Sequence, residues 1–155
     1  MKRIACCLGL VLAMPSMALG LERRDGAYLC TVKFGGGFAY NDAIKRWEGA
    51  TFPSPGLGAF VLKLSFREAT KDGDKYDATI TVEEGSSSPP CVSSSGNILI
   101  NRNAQLNCAV DEVVEYKFNL SNYRFLKIFT KGYLDGFEPT GYTPGLMGGL
   151  CIKIQ

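Results

Sequence analysis

Apolar and polar residues alternate along several short stretches of this chain, a pattern typical of strands with one buried face. Residues 27–34 place Tyr28, Cys30, Val32 and Phe34 on one face, and residues 59–66 repeat the pattern. The same reasoning predicts strands at residues 38–40, 46–52, 76–82, 97–100, 104–108, 113–120, 125–129 and 150–155. No stretch has a convincing helical period.

Turn and loop residues separate these stretches. Gly35-Gly36-Gly37 predicts a bend or bulge, and residues 132–149, with six glycines and two prolines, predict a long irregular segment. The polar residues 19–26 predict a loose arm, and the strands at 97–100 and 104–108 are predicted to pair as a hairpin. The fold class predicted is all-β: a single antiparallel barrel or sandwich of about eight strands with long loops.

The first twenty residues have the order of features that a secretory signal needs. Lys2 and Arg3 precede an uncharged apolar run, Pro15 ends that run, and small residues follow. Residues 1–18 are therefore predicted to be a signal peptide, with cleavage after Ala18 or Gly20. Residues 19–155 are predicted to form one disulfide-bearing β domain in the periplasm or outside the cell.

Charge changes the range of partners once the signal is removed. The whole chain has 17 basic and 15 acidic residues, and the signal carries away Lys2 and Arg3 but no acid. Because nucleic-acid binders need a basic excess to displace counterions from phosphates, the balanced mature chain predicts no nucleic-acid partner. No other segment is long and apolar enough to predict a membrane span in the mature chain. The oligomeric state is left open.

Four cysteines remain after the signal: Cys30, Cys91, Cys108 and Cys151. An even number in an exported chain favours disulfides, and four cysteines allow three pairings. We favour Cys91–Cys108, which closes a short excursion, together with Cys30–Cys151, which joins the first strand to the last. A Cys₄ zinc site is the alternative, but structural zinc usually takes ligands in closely spaced pairs, which this chain lacks.

Catalytic side chains give little signal. The chain has no histidine, which removes the commonest general base and the usual zinc ligand. Asp111, Glu112 and Glu115 cluster, and Glu83 adjoins Glu84, so a carboxylate-based hydrolase is a minor alternative. The sequence predicts no catalytic residue, no metal site and no cofactor, and we expect the protein not to be an enzyme.

Aromatic residues are the one feature with potential for recognition. They crowd the first predicted hairpin, at Tyr28, Phe34, Phe38, Tyr40, Trp47 and Phe52. Exposed Trp and Tyr side chains make good anchors for a partner, although aromatic residues in strands more often pack in a core. Tyr40 and Trp47 are the candidate binding surface.

Several short motifs carry a resemblance across most of the mature chain: Tyr28-Leu29-Cys30, Gly36-Gly37-Phe38-Ala39-Tyr40-Asn41, and the terminal Gly149-Leu150-Cys151. In these the chain resembles a group of small, signal-peptide-bearing exported proteins of proteobacteria. The resemblance implies a periplasmic or secreted setting and brings no activity with it. The chain is more weakly similar to the barrels of C-type lysozyme inhibitors, and no residue role is carried over from them.

These observations predict an exported, non-enzymatic β module that binds a protein or an envelope component. A structural envelope protein without a discrete ligand is the first alternative, and the carboxylate-based hydrolase is the second.

Overall fold

A computed structural model describes residues 23–53, 58–82, 91, 98–100, 103–133 and 143–155 of the chain. The described residues form strands and turns and contain no helix that could cross a membrane. Nine strands follow in order: β1 (Gly26–Asn41), β2 (Arg46–Phe52), β3 (Ala59–Thr70), β4 (Gly73–Thr81), β5 (Ile98–Ile100), β6 (Gln105–Ala109), β7 (Val114–Asn119), β8 (Arg124–Phe129) and β9 (Gly145–Lys153).

All nine strands belong to one antiparallel sheet, which confirms the predicted fold class. Eight of them lie in the order β5-β4-β3-β1-β9-β8-β7-β6, and β2 pairs with the far half of β1. The described hydrogen-bonded path does not close, but its two ends, β5 and β6, lie beside each other. The sheet therefore curls round one interior, as a barrel or a sandwich does.

The inner face of this curled sheet carries the core, because alternate residues of each strand point inward. Phe60 of β3 packs edge-to-face against Tyr116 of β7 and Phe125 of β8, with ring centroids 5.1 Å and 4.9 Å away. Strands from the two halves of the path thus meet across the interior. The cluster also includes Tyr28, Val32, Leu62, Leu64, Tyr76, Ile80, Leu106, Phe118 and Leu120.

Two disulfides connect parts of the sheet that differ greatly in sequence separation. Cys30 of β1 lies directly opposite Cys151 of β9, and the two residues are 121 apart in sequence. The second joins Cys91 to Cys108, 17 residues apart. The Cys91 amide donates to the Ala78 carbonyl of β4, and Cys108 lies in β6. This second bond therefore links β4, next to one end of the sheet path, to β6 at the other end.

Three predictions about individual elements differ from the described structure. Gly35-Gly36-Gly37 does not interrupt β1, and the register irregularity lies between Val32 and Phe34 instead. The last strand begins at Gly145, inside the segment predicted to be irregular. For the predicted hairpin of residues 97–100 and 104–108, the described parts of its two strands, β5 and β6, lie beside each other but are hydrogen-bonded to β4 and β7 respectively.

The glycines explain the first two differences. Gly37 of β1 is paired with Gly145 of β9, and a Cβ added at Gly37 would lie 2.1 Å from the Pro144 carbonyl oxygen. The two backbones approach so closely here that a side chain has no room. Glycine therefore permits strand pairing at this point, although in the sequence it is usually a signal of a break.

The predicted loose arm is also ordered where it is described. The Tyr28 hydroxyl donates to the Arg24 carbonyl at 2.9 Å, and the Arg24 amide donates to the Tyr76 hydroxyl at 3.0 Å. The Arg23 guanidinium lies over the Phe66 ring, 4.5 Å from its centroid. Residues 23–25 thus cover the end of the interior near Tyr28 and Tyr76.

Burial of Tyr116 gives the fold a predictable sensitivity to alkali. Desolvation raises the pKa of the Tyr116 phenol to about 12. The stability that comes from burying the neutral phenol is therefore fully present below the pKa of tyrosine in the unfolded chain, which is near 10. This stability is lost as the pH rises towards 12, because the folded state disfavours the phenolate. We expect the free energy of unfolding to fall by roughly 2 kcal/mol over that window.

Tyr116→Phe should reduce the fall in the free energy of unfolding at alkaline pH. Chemical denaturation at about pH 8 and about pH 11 measures this fall in the wild type and the variant. Tyr123→Phe is the matched control, since Tyr123 is exposed. An equal alkaline decline in the wild type and Tyr116→Phe would contradict the assignment to Tyr116.

Candidate binding surface

Tyr40 and Trp47, the two residues proposed from the sequence, are brought together by the structure. They lie directly opposite each other in the β1–β2 hairpin, so their side chains share one face of the sheet. Their ring centroids are 5.5 Å apart in an edge-to-face arrangement, and both residues are half-buried. The register shift between Val32 and Phe34 reverses the alternation of β1, so Tyr40 lies on the outer face, although Val32 points into the core. Phe34, predicted to share the core face of Val32, is turned outward by the same shift.

Two further rings complete the group. Phe38 lies two residues before Tyr40 on the same face, and its ring stacks on Tyr133 with centroids 5.2 Å apart. Tyr133 also meets Trp47 edge-to-face at 5.8 Å. Phe38 and Tyr133 are 48% and 49% exposed. We call Phe38, Tyr40, Trp47 and Tyr133 the aromatic surface.

Sequence reasoning did not find Tyr133 as a member of this group. Tyr133 follows β8 in a turn, within the glycine-rich segment predicted to be irregular. No local pattern marks it, because its neighbours Phe38 and Trp47 come from the first hairpin and meet it only in the folded sheet. Of the other aromatic residues in the first hairpin, Tyr28 lies in the core and Phe52 lies against Gly145.

Polar contacts on the opposite face hold the end of this hairpin. The Asn41 amide donates to Glu48 Oε2 at 2.8 Å, and the Arg46 guanidinium donates to Glu48 Oε1 at 2.9 Å. Both hydrogen bonds lower the pKa of the Glu48 carboxyl, and the one from Asn41 has the larger effect. They stabilise the register in which Tyr40 faces Trp47.

An apolar hollow of about 320 Å³ lies beside the aromatic surface. The Phe38 and Tyr133 rings form one part of its wall, and Ile128 and Leu146 form another. Backbone at Gly36, Gly37 and Gly145 also lines it, where β1 and β9 approach closely. The hollow is of a size and polarity suited to an apolar side chain or the end of an aliphatic chain.

A larger depression of about 800 Å³ lies further along the same outer face. We call it the basic trough and define it by six of its lining residues: Lys33, Phe34, Lys117, Arg124, Leu126 and Leu150. Its lining also includes the amide side chains of Gln105, Asn107 and Asn119. Among the described residues that line it there is no carboxylate.

Strand register orders the trough from polar to apolar. One row across the sheet runs from Asn107 through Lys117 to Leu126, and a second runs from Asn119 through Arg124 to Leu150. Beyond Leu126 lies Gly148, where an added Cβ would meet the Phe34 ring at 2.3 Å. The Phe34 ring thus covers Gly148 and remains 58% exposed itself.

Two of the carboxylates considered for catalysis, Asp111 and Glu115, have other contacts. The Asp111 carboxylate accepts hydrogen bonds from the Val113 and Val114 amides, and Glu115 lies 3.5 Å from the Lys117 ammonium group. Glu83 and Glu84 lie outside the described residues. In the described part of the chain, no three Cys, Asp or Glu side chains come together in a group that could hold a metal ion.

No family model, curated protein or solved structure matches this chain.

Proposed function

We propose that the protein is an exported, non-enzymatic β module that binds a protein or another component of the cell envelope through the aromatic surface. The observation that carries the proposal is the group of four packed aromatic rings on an outer sheet face. Two of these rings, Phe38 and Tyr133, are about half exposed and line an apolar hollow. Two disulfides are compatible with an exported setting.

The position of the four rings favours binding over a purely structural role. They do not belong to the core cluster, to which β1 contributes only residues up to Val32 and β2 contributes none. Aromatic side chains that pack against one another at a surface are held rigid, so a partner that covers them loses little conformational freedom in the process. Such rigid, partly exposed rings are frequent among the residues that dominate binding energy.

The carboxylates support a non-enzymatic role through their contacts. Asp77 pairs with Arg67, Glu68 with Lys75 and Glu48 with Arg46, all on exposed parts of the sheet. The pKa of Glu68 is lowered by its hydrogen bond to Lys75, as that of Glu48 is lowered by its partners. A carboxyl group acting as a general acid needs a raised pKa instead.

Site-specific crosslinking of the mature protein in envelope extract tests the proposal. A photoreactive phenylalanine analogue at position 38 should capture a discrete component. The same analogue at position 82, where Val82 is 50% exposed on the end of β4, should not capture it. The captured component is identified by mass spectrometry and purified.

Trp47 then allows direct measurement, because it is the only tryptophan in the chain. Titration of the purified component should change its fluorescence. We expect Phe38→Ala and Trp47→Ala each to weaken binding by about 30-fold, the effect of a typical interface hot spot. Binding by Trp47→Ala is measured by calorimetry, because this variant has no tryptophan. Val82→Ala should leave the affinity unchanged.

Two results would contradict the proposal. Equal capture from positions 38 and 82 would show that the aromatic surface has no special role. Capture of further copies of the chain alone would favour the structural alternative.

A further inference from the structure

The charged groups of the basic trough all have the same sign. Lys33 rises from β1 on one side, and Arg124 and Lys117 lie on β8 and β7 on the other. Within the described part of the chain, Lys117 pairs with Glu115, while neither Lys33 nor Arg124 forms an ion pair. Two cations facing one depression without described counter-charges favour an anionic ligand.

The apolar side of the trough continues along β9. Leu150 and Leu146 both point outward, are 47% and 45% exposed, and are separated by Gly148 with the Phe34 ring over it. Leu150 and Leu146 are four positions apart, a distance of roughly 13 Å along the strand. This apolar path leads from the trough to the hollow, which Leu146 also lines.

The surface has cations at one end and an apolar path at the other. This arrangement matches the charged head and the apolar tail of an amphiphile. An extended hydrocarbon chain of about ten carbons matches the length from Leu150 to Leu146, given ordinary carbon–carbon bond lengths. The trough and the hollow each have a volume in the range of small-molecule sites.

We propose that the basic trough binds a monomeric amphiphile with an anionic head and one acyl chain, of the fatty-acid class. The head lies between Lys33 and Arg124, and the chain runs over Phe34 and along β9 into the hollow beside Tyr133. This ligand would be a constituent or product of envelope lipids. The inference deepens the proposed binding function. It rests on the trough, which lies outside the aromatic surface, and on the hollow, whose wall includes Phe38 and Tyr133 of that surface.

Calorimetric titration of the mature protein tests this with three probes. Dodecanoate, kept below its micelle concentration, should bind one to one with a dissociation constant in the micromolar range. Butanoate, which keeps the head but not the chain, should bind at least about 100-fold more weakly, since each buried methylene contributes to affinity. Dodecyl maltoside, which keeps the chain but not the charge, should bind at least about tenfold more weakly.

Variants locate the two ends of the ligand. Arg124→Gln and Lys33→Gln should each weaken dodecanoate binding by about tenfold, the effect of losing one charge-assisted contact. Lys63→Gln is the matched control, because Lys63 is an exposed strand lysine that does not line the trough. Bound dodecanoate should also change Trp47 emission, since Trp47 contacts Tyr133 at the hollow.

Several outcomes would overturn this inference. If dodecyl maltoside bound as tightly as dodecanoate, charge would have no role in binding. If Arg124→Gln and Lys63→Gln bound dodecanoate with equal affinity, the trough would not be the binding site. Unchanged Trp47 emission would overturn the path along β9, and binding only to anionic vesicles would show adsorption to a membrane instead. Crosslinking from position 38 that persists in Arg124→Gln would leave the proposed function standing when this inference fails.

Discussion

The double variant Cys30→Ala/Cys151→Ala is expected to lose about 5 kcal/mol of stability, a large part of the total for a small domain. The bond links residues 121 apart, so in the reduced chain the unfolded state gains the freedom of a very long loop. Both cysteines are also buried in the core, and alanine removes their packed sulfur atoms. Denaturant unfolding of residues 19–155, monitored by Trp47 fluorescence, gives the value.

Cys91→Ala/Cys108→Ala provides the comparison. Its loop is only 17 residues in sequence separation, which predicts a loss of about 3 kcal/mol. The two ends of the sheet should then separate more easily while β1 and β9 stay joined. Equal losses in the two double variants would contradict the dependence on loop length. A peptide map without reductant that joined Cys30 to Cys91 or Cys108 would contradict the pairing itself.

Gly149→Ala is expected to destabilise the fold by about 3 kcal/mol, at the upper end of the cost of overpacking a core. A Cβ at this position would lie 2.1 Å from the Thr31 carbonyl oxygen and 2.8 Å from the Phe125 ring. The carbonyl belongs to β1, which is paired with β9 on both sides of this point, so the backbone has little room to shift.

Gly49→Ala is the matched control for this effect. Gly49 also lies in a strand, β2, but an added Cβ there would have no atom within 4 Å. The same substitution should be neutral or stabilise slightly, because alanine reduces the freedom of the unfolded chain. Thermal or denaturant unfolding of both variants checks the difference. Similar stabilities for the two variants would mean that β1 and β9 can move apart at Gly149 at low cost.

The strands that were predicted well are those in which one residue in two is apolar. In β3 and β4, the core residues Leu62, Leu64, Tyr76 and Ile80 are separated by polar residues such as Lys63, Asp77 and Thr79. Alternation works as a signal here because each strand has one face towards the interior and one towards solvent. The same pattern gave the all-β class and most of the strand positions.

Prediction failed where glycine serves close packing. Gly145, Gly148 and Gly149 lie in β9, although so many glycines in one segment are more often typical of loops. Their role depends on what lies opposite: the Phe52 ring, the Phe34 ring and the Thr31 carbonyl. These partners are distant in sequence, so no local rule could have distinguished this strand from a loop.

The candidate surfaces show the same division. Tyr40 and Trp47 could be proposed from the sequence because they flank one short turn and so become cross-strand neighbours. Tyr133 joins them only when β8 and β9 lie beside β1. The basic trough likewise takes Lys33, Lys117 and Arg124 from three strands, and none of the three stands out in a chain with 17 basic and 15 acidic residues.

The sequence by itself determined the β class, the alternating core positions and the four cysteines available for disulfides after the predicted signal, because these depend on residue type and on neighbours along the chain. The tertiary structure alone decided which strands pair, where glycine permits two backbones to touch, and which exposed side chains gather into the aromatic surface and the basic trough. The physical reason is that each of these depends on atoms brought together from distant positions by the curling of one sheet around a shared core.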